Sequence, residues 1–416
     1  MGGTLIKFLV LVLVLFFVLN SIHYEVEGGE SISEEEDMEI ERQLKILNKT
    51  PIKTFHSEFG DVIDCIDIYK QPALDHPALK NHKILLRPDN PPTRHTTEKT
   101  SSIIDEPKTS GIRPDGIECP KGTVPIRRTT KEDLIRAKSL TKARNGSNAS
   151  NYYGEHGAIL KLDNGYQQFY GINADISTYQ PTVYEDEFST AHMWVVGNAK
   201  DEQLNNIQVG LAVHPTLFGD HRLRMFTYWT ADGSYKTGCY NFLCHGYVQI
   251  HQYFGPGSKP SRISTYDGGH YVNRFFIYQD RKQKVWWLVF TGDTHVGYWP
   301  NSIFSGSLSK GFANGLYWGG ITKAGSHVGI NPAMGSGHYP DGVYGHSGFF
   351  HWVQYVNGFN QIIDLKDTPM DAFVDCQWYN ITNLGYTSNG NAIYFGGPGG
   401  RCPTLSNPAA KMKMQS

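Results

Sequence analysis

The chain predicts an all-β fold, an antiparallel β-sandwich of two packed sheets, preceded by a small α+β region. Three observations carry that expectation. Short runs rich in β-branched and aromatic residues recur from Ala158 onward at the spacing of sandwich strands. Turn pairs such as Asp232-Gly233, Asp267-Gly268 and Asn389-Gly390 separate some of them. Aromatics reach 13%, Gly numbers 44 and charged residues are only 19%, which suits loop-rich β structure better than a helical or disordered chain.

In order along the chain, Lys7 and the apolar run Phe8–Leu19 have the shape of a secretory signal peptide, assigned to residues 1–28. The run is short for a membrane span and no second one follows, so export without a membrane anchor is expected. Ser33–Leu47 reads as a helix: Ser33 and Glu36 form a capping box, Ile40, Leu44 and Leu47 share a face, and Pro51 follows. Asp61–Tyr69 reads as a strand, Asp89–Ser110 as a polar linker and Lys131–Lys142 as a helix. The stretch RNGSNASNYYGEHGA then forms an exposed type of junction, assigned to residues 141–157, between a region at 29–140 and a β domain at 158–416.

Strand candidates in the β domain are His192–Val196, Ile207–Val213, Arg222–Thr230, Gly246–Tyr253, Val272–Gln279, Val285–Thr291, Leu316–Trp318, Phe349–Val356, Phe373–Ile381 and Ala392–Phe395. Ile207–Val213 alternates strictly, with Ile207, Val209, Leu211 and Val213 on one face and Gln208, Gly210 and Ala212 on the other.

Six cysteines in an exported chain favour disulfides over a metal site or a nucleophile. Cys239 and Cys244 are close enough to staple the connection they bracket. Sequons occur at Asn48, Asn145, Asn148 and Asn380, and Pro51 after Thr50 weakens the first. A formal net charge of −2 gives no field directed at nucleic acid or anionic membrane.

GLAVHPTLFGDHRLRMFTYWTADGSYKTGCYNFLCHGYVQ, VWWLVFTGDTHVGYWPNSIF, LYWGG and MGSGHYPDG resemble the signature stretches of the neprosin family of plant secreted proteins. FGDVIDCIDIYKQPALDHPALKNHKI and CPKGTVPIRRTTKEDLIRAK resemble the activation peptide that precedes that family's catalytic domain. The resemblance implies a sandwich fold, an apoplastic or vacuolar route, and a propeptide in cis covering the active face until cleavage within Arg127–Tyr153. It also supports pairing Cys376 with Cys402, which leaves Cys65 to pair with Cys119.

The family's founding members are proline-specific glutamic endopeptidases, so a proline-containing peptide is the implied partner. Two acidic groups about one water apart, their pKa values split by environment, would activate water and protonate the leaving amine. One glutamate precedes the Gly-Asp turn and the other follows Trp-Gly-Gly. Carried over, these positions are Gln208 and Ile321, and neither side chain titrates. No glutamate occurs from Gln203 to Ser416, so a Glu/Gln pair would have to borrow Glu155, Glu185, Glu187 or Glu202.

Asp267, Asp293 and Asp341 are candidates for a replacement pair, although each sits in a Gly-containing, turn-like context. His245 and His251 would share a face on an unbroken strand, but no metal-ligand spacing accompanies them. Gly255–Gly257 and Gly396–Gly400 lack the ending of a phosphate-binding loop, and no cofactor is implied. Tyr228, Trp229 and Trp318, with Trp286 or Trp287, are groove candidates for proline rings or, equally, core residues. Two readings follow: a catalytically impaired pseudopeptidase that binds peptides, or an active prolyl endopeptidase with a non-standard acid pair.

Overall fold

In the computed structural model the described residues are 33–94, 108–112, 117–145, 154–163, 165, 167–197, 204–326, 329–366 and 368–403. The signal-peptide assignment, the sequon at Asn148 and the candidate Glu202 lie outside them.

The first described element is helix α1 (Glu34–Leu47). Ser33 Oγ accepts from Glu36 N at 3.2 Å, the N-terminal half of the expected capping box. Residues from 44 onward form one compact unit. Its first part holds a small antiparallel sheet of β1 (Lys53–His56), β2 (Val62–Asp67) and, after two short strands that pair elsewhere, β3 (Thr93–Arg94) and β4 (Lys108–Thr109), β5 (Thr123–Arg127). Helix α2 (Lys131–Asn145) follows. A disulfide between Cys65 and Cys119 ties this region to itself.

The body of the molecule is the sandwich. Its strands are β6 (Glu155–Leu162), β7 (Gly171–Ser177), β8 (Phe188–Gly197), β9 (Asn205–Val213), β10 (Leu223–Thr230), β11 (Cys239–Tyr240), β12 (Val248–Gln249), β13 (Tyr271–Asp280), β14 (Val285–Phe290), β15 (Thr294–Pro300), β16 (Gly315–Lys323), β17 (Gly348–Val356), β18 (Gln361–Asp364), β19 (Asp371–Val374), β20 (Asn380–Thr387) and β21 (Gly390–Gly396). Among the described residues, one sheet runs β11-β10-β9-β8-β16-β6-β19, and the other runs β12-β15-β14-β13-β7-β17-β18-β3, with β4, β20 and β21 attached.

The two sheets meet over a single apolar core. Ile207, Val209, Leu211, Met225, Trp229 and Trp318 from the first sheet pack with Ile172, Ala174, Phe275, Trp286, Leu288 and Phe350 from the second. Each buried indole removes about 150–250 Å² from water, roughly 4–6 kcal/mol of transfer free energy per ring. Trp286, Trp287 and Trp318 are all fully buried. The expected antiparallel sandwich is therefore present, with two additions the sequence did not suggest. β3 pairs with β18 and β4 with β13, both in parallel, so the Asp89–Ser110 stretch contributes two strands to the larger sheet.

Several expected strands change length for local reasons. Gly246–Tyr253 shrinks to Val248–Gln249. Gly246 takes φ +125° and its Cβ would meet the Trp229 ring at 2.8 Å, so the chain bends there. Past Gln249, His251 Nδ1 accepts from Tyr253 N and Phe254 N at 3.4 and 3.3 Å and turns the chain again. Phe373–Ile381 splits into β19 and β20 around Cys376, which is bonded to Cys402. Leu316–Trp318 grows to Gly315–Lys323, and β7, β15 and β18 were not anticipated.

Candidate active-site face

The smaller sheet turns one side of its strands to the core and the other side away from it. Register orders this second side into rows. In one row, Gln208 on β9 stands opposite Tyr228 on β10 and Trp194 on β8, and Trp194 stands opposite Tyr317 on β16. In the next, His192 lies between Gly210 and Gly319, with Phe226 beyond Gly210. Both glycines have a steric reason: a Cβ on Gly210 would meet His192 Cβ at 2.4 Å, and one on Gly319 would meet the Ala158 carbonyl at 2.1 Å. A third row brings Thr190 beside Ile321. There the β8–β16 ladder skips two pairs, and the Thr190 hydroxyl accepts from Ile321 N and donates to Ile321 O, both at 2.9 Å.

This grid does not bring Gln208 and Ile321 together. With strands ~4.8 Å apart and ~3.3 Å of rise per residue, their Cα atoms lie ~16 Å apart, whereas Gln208 and Tyr317 lie ~10 Å apart across Trp194. Along these ladders the β16 residue in the Gln208 row is Tyr317, and Ile321 stands four residues further along the strand.

From β10 to β16 the row carries no charged side chain; beyond Tyr317 it continues to Lys161, whose Nζ lies 5.1 Å from the Tyr317 ring centre, and then to Asp371. Gln208 is half-buried and donates to Asn206 Oδ1 at 3.2 Å. Tyr317 is 2% exposed, and its hydroxyl has no hydrogen-bond partner among the described residues. Burial, aided by Asp163, raises its pKa, so the phenol stays protonated. His192 is also 2% exposed, with neither ring nitrogen bonded. Its ring tilts against Trp194 at 3.6 Å and stands edge-on to Phe226 at 5.2 Å. Burial holds its pKa well below the usual range, so the imidazole is neutral. Such a face can donate and accept hydrogen bonds. Among the described residues, none of its row members on β8, β9, β10 and β16 is a carboxylate that could take a proton from water.

The glutamates do not fill the gap. Glu155 lies on the same side of the sheet, but three strands and six residues from Gln208, ~25 Å away by the same geometry. Glu185 is exposed, 3.6 Å from His221, and Glu187 accepts from Tyr184 N at 2.9 Å. Asp267 and Asp341 do approach each other, but around His346 rather than a water: Asp341 Oδ2 is 2.7 Å from Nδ1 and Asp267 Oδ1 4.0 Å from Nε2. The His346 hydrogen bond lowers the pKa of Asp341. Asp267 and Asp293 have φ of +49° and +61°, which marks both as turn residues.

His245 and His251 form no pair, because β12 is too short to carry both. His245 Nδ1 instead donates to the Pro72 carbonyl at 2.7 Å. Among the described residues no group of three or more His, Cys, Asp or Glu side chains is placed to hold a metal ion. Of the groove candidates, Trp229 and Trp318 point into the core with Trp286. Tyr228 alone belongs to the outer side, where it packs with Phe226 and its hydroxyl lies 2.6 Å from Ser234 Oγ. Trp194, Phe226, His192 and Tyr317 were not singled out in the sequence, although alternation from Gln208 and the glycines beside His192 signalled the face.

All six cysteines form the expected bonds, Cys65–Cys119, Cys239–Cys244 and Cys376–Cys402. Asn380 is exposed at the start of β20. Asn48 is engaged at both ends of its amide with the Thr129 backbone, at 2.8 and 2.9 Å, which a glycan there would disrupt.

Two family models match the chain: the neprosin activation peptide over residues 54–167 and neprosin over residues 185–398. The chain belongs to the neprosin family. Its activation peptide is thus present in cis. Solved structures with a related trace include scytalido-glutamic peptidase with a peptide-based transition-state analogue, at 10% identity, TM-score 0.31 and coverage of 59% of this chain and 98% of that one. Another is SCP-B, a member of the eqolisin family, in complex with the tripeptide Ala-Ile-His, at 11% identity, TM-score 0.29 and the same coverages. Superposition is too loose for residues to be carried between them and this neprosin-family chain. No helix among the described residues is long and apolar enough to cross a membrane.

Proposed function

We propose that this neprosin-family protein is exported and binds peptides on the Gln208–Trp194–Tyr317 face without cleaving them. The observation that carries this reading is that Gln208, Trp194, Tyr317 and their neighbours on β8, β9, β10 and β16 in these rows are not carboxylates, and that the carboxylate closing the Gln208 row, Asp371, stands two strands beyond Tyr317, past Lys161. Removal of one general acid or base costs about 10²–10⁴-fold in rate, and loss of both leaves binding. The unbonded Tyr317 hydroxyl and His192 nitrogens favour a ligand that supplies hydrogen bonds, as an extended peptide backbone does. Trp194, Phe226 and Tyr228 offer apolar faces suited to rigid proline rings.

The test is cleavage of an unstructured, proline-rich protein from about pH 2.5 to 7, the range in which carboxylates titrate. Two double variants are compared with the natural chain: Gln208→Glu with Tyr317→Glu, and Gln208→Glu with Ile321→Glu. The natural protein is expected to be silent and the first variant to regain cutting. Recovery only in the second would restore Ile321 as the paired position. Cutting by the natural protein would favour the second reading, an endopeptidase with a non-standard pair, for which the retained activation peptide and family motifs speak.

A further inference from the structure

The surface that receives the activation peptide is built from the same materials as a protein interior. Ile66, Ile68, Ala73, Leu79, Val124 and Ile126 of the activation peptide belong to one contiguous buried cluster with Trp229, Trp287 and Tyr298 of the sandwich. At one end of this contact Arg224 of β10, 2% exposed, donates through Nη2 to Asp61 Oδ2 at 2.8 Å and to Asp220 Oδ2 at 2.5 Å. Asp61 also accepts from Arg127 at 2.8 Å, and Arg127 reaches Asp133 at 2.9 Å and the Phe218 carbonyl at 3.2 Å. The space left here is about 30 Å³, enough for about one water.

In the middle, Gln71 and Gln249, both essentially buried, exchange hydrogen bonds as two strands would. Gln249 N donates to Gln71 Oε1 at 2.8 Å, Gln71 Nε2 to Gln249 O at 3.0 Å, and Gln249 Nε2 to Pro125 O at 2.9 Å. Further along, the Tyr298 hydroxyl meets His82 Nε2 at 2.7 Å and Leu85 N at 3.0 Å. Buried Asp280 accepts from Asp89 N and Asn90 N at 2.8 and 2.9 Å, and β3 and β4 then extend the larger sheet. None of the three disulfides joins the two parts.

We infer that the activation peptide is a permanent, non-covalently held half of this protein: cutting the chain between residues 145 and 152 leaves residues 44–145 docked on the sandwich. Of the residues the inference rests on, only Arg224 lies on the outer side of the smaller sheet, at the end of the Thr190–Ile321 row, and none belongs to the Gln208–Tyr317 row, so it stands whether or not that row binds peptides. Its physical basis is that separation exposes the apolar cluster shared by Ile66, Ile68, Leu79, Val124 and Ile126 with Trp229, Trp287 and Tyr298, and breaks the Gln71–Gln249, Pro125–Gln249 and β-ladder hydrogen bonds across the contact.

A protease site inserted between residues 146 and 152 of the full-length chain allows a single cut, followed by size-exclusion chromatography at neutral pH and submicromolar concentration. The two pieces are expected to elute together and to separate only on a denaturing gel, in 1 M NaCl as in low salt, because screening acts weakly on buried pairs. Elution of the sandwich alone would overturn the inference, as would release by salt. In the nicked chain, Asp61→Ala or Gln71→Ala is expected to speed dissociation, Asp61→Ala by about a hundredfold. Unchanged dissociation in both would remove these residues from the account.

Discussion

The docking surface of the activation peptide and the Gln208–Tyr317 face are both buried, both lie on the sandwich and both contain polar side chains. They differ in how far those side chains are satisfied, although Gln249 Oε1 at the docking surface is also unbonded among the described residues. Asp61, Arg224 and Gln71 each find specific partners, and the charged groups among them are locked by several hydrogen bonds. On the other face His192 and Tyr317 keep unbonded nitrogen and oxygen atoms at 2% exposure. A satisfied polar network fixes one arrangement, while unsatisfied groups await a different one. The first region is built to stay assembled and the second to receive a ligand.

The largest effect that would break this contrast is expected at the docking surface. Arg224→Met should cost about 3–5 kcal/mol of stability, since it leaves Asp61 and Asp220 facing one another without their shared cation. Urea unfolding of the full chain would measure it, and a loss below about 1 kcal/mol would place the pair among ordinary surface contacts.

Acid should act on the same surface more gently and in two stages. Burial lowers the pKa of His82, and burial together with nearby His245 lowers that of His76. Both are therefore held neutral in the folded chain but take protons when unfolded, so stability falls as pH drops below about 6.5, the free imidazole value. Asp61 and Asp220 act in the same direction, but at lower pH. Burial alone would raise their pKa values, but Arg224, with Arg127 at Asp61 and Arg222 at Asp220, lowers both. Their contribution is complete above the usual carboxylate range and is lost only as pH falls through the depressed values. Melting temperature against pH should thus show an upper slope that His82→Gln flattens and a lower one that it leaves alone.

The smallest effect sharpens the other side of the comparison. Tyr317→Phe removes a hydroxyl that bonds to nothing, so stability should be unchanged or raised by up to about 1 kcal/mol. A clear drop in melting temperature would mean that the hydroxyl is structurally engaged, and the face would lose its claim to an open ligand site.

Much of this was legible along the chain, and the limits are specific. Strict alternation through Ile207–Val213 showed β9 and put Gln208 on the side away from the core, because a period of two needs only local residues. The same rule divides Tyr228 from Trp229 but does not say which of them meets the opposing sheet, and Trp229 proved to be core. Ile321 was chosen by position within a motif, yet the residue opposite Gln208 is decided by pairing through Trp194, a relation between β8, β9 and β16 that adjacent residues do not encode. β3 and β4 escaped notice because two-residue strands exist only through their partners on β18 and β13.

The parallel pairing of β3 with β18 has one more consequence, for solubility. β18 would otherwise end the larger sheet with a row of free backbone donors and acceptors, the kind of edge on which chains stack and aggregate. Thr93–Arg94 closes part of that edge with the protein's own chain, and Arg94 adds a charge beside it. A sandwich produced without the activation peptide should therefore be prone to self-association, strand against strand, in proportion to its concentration.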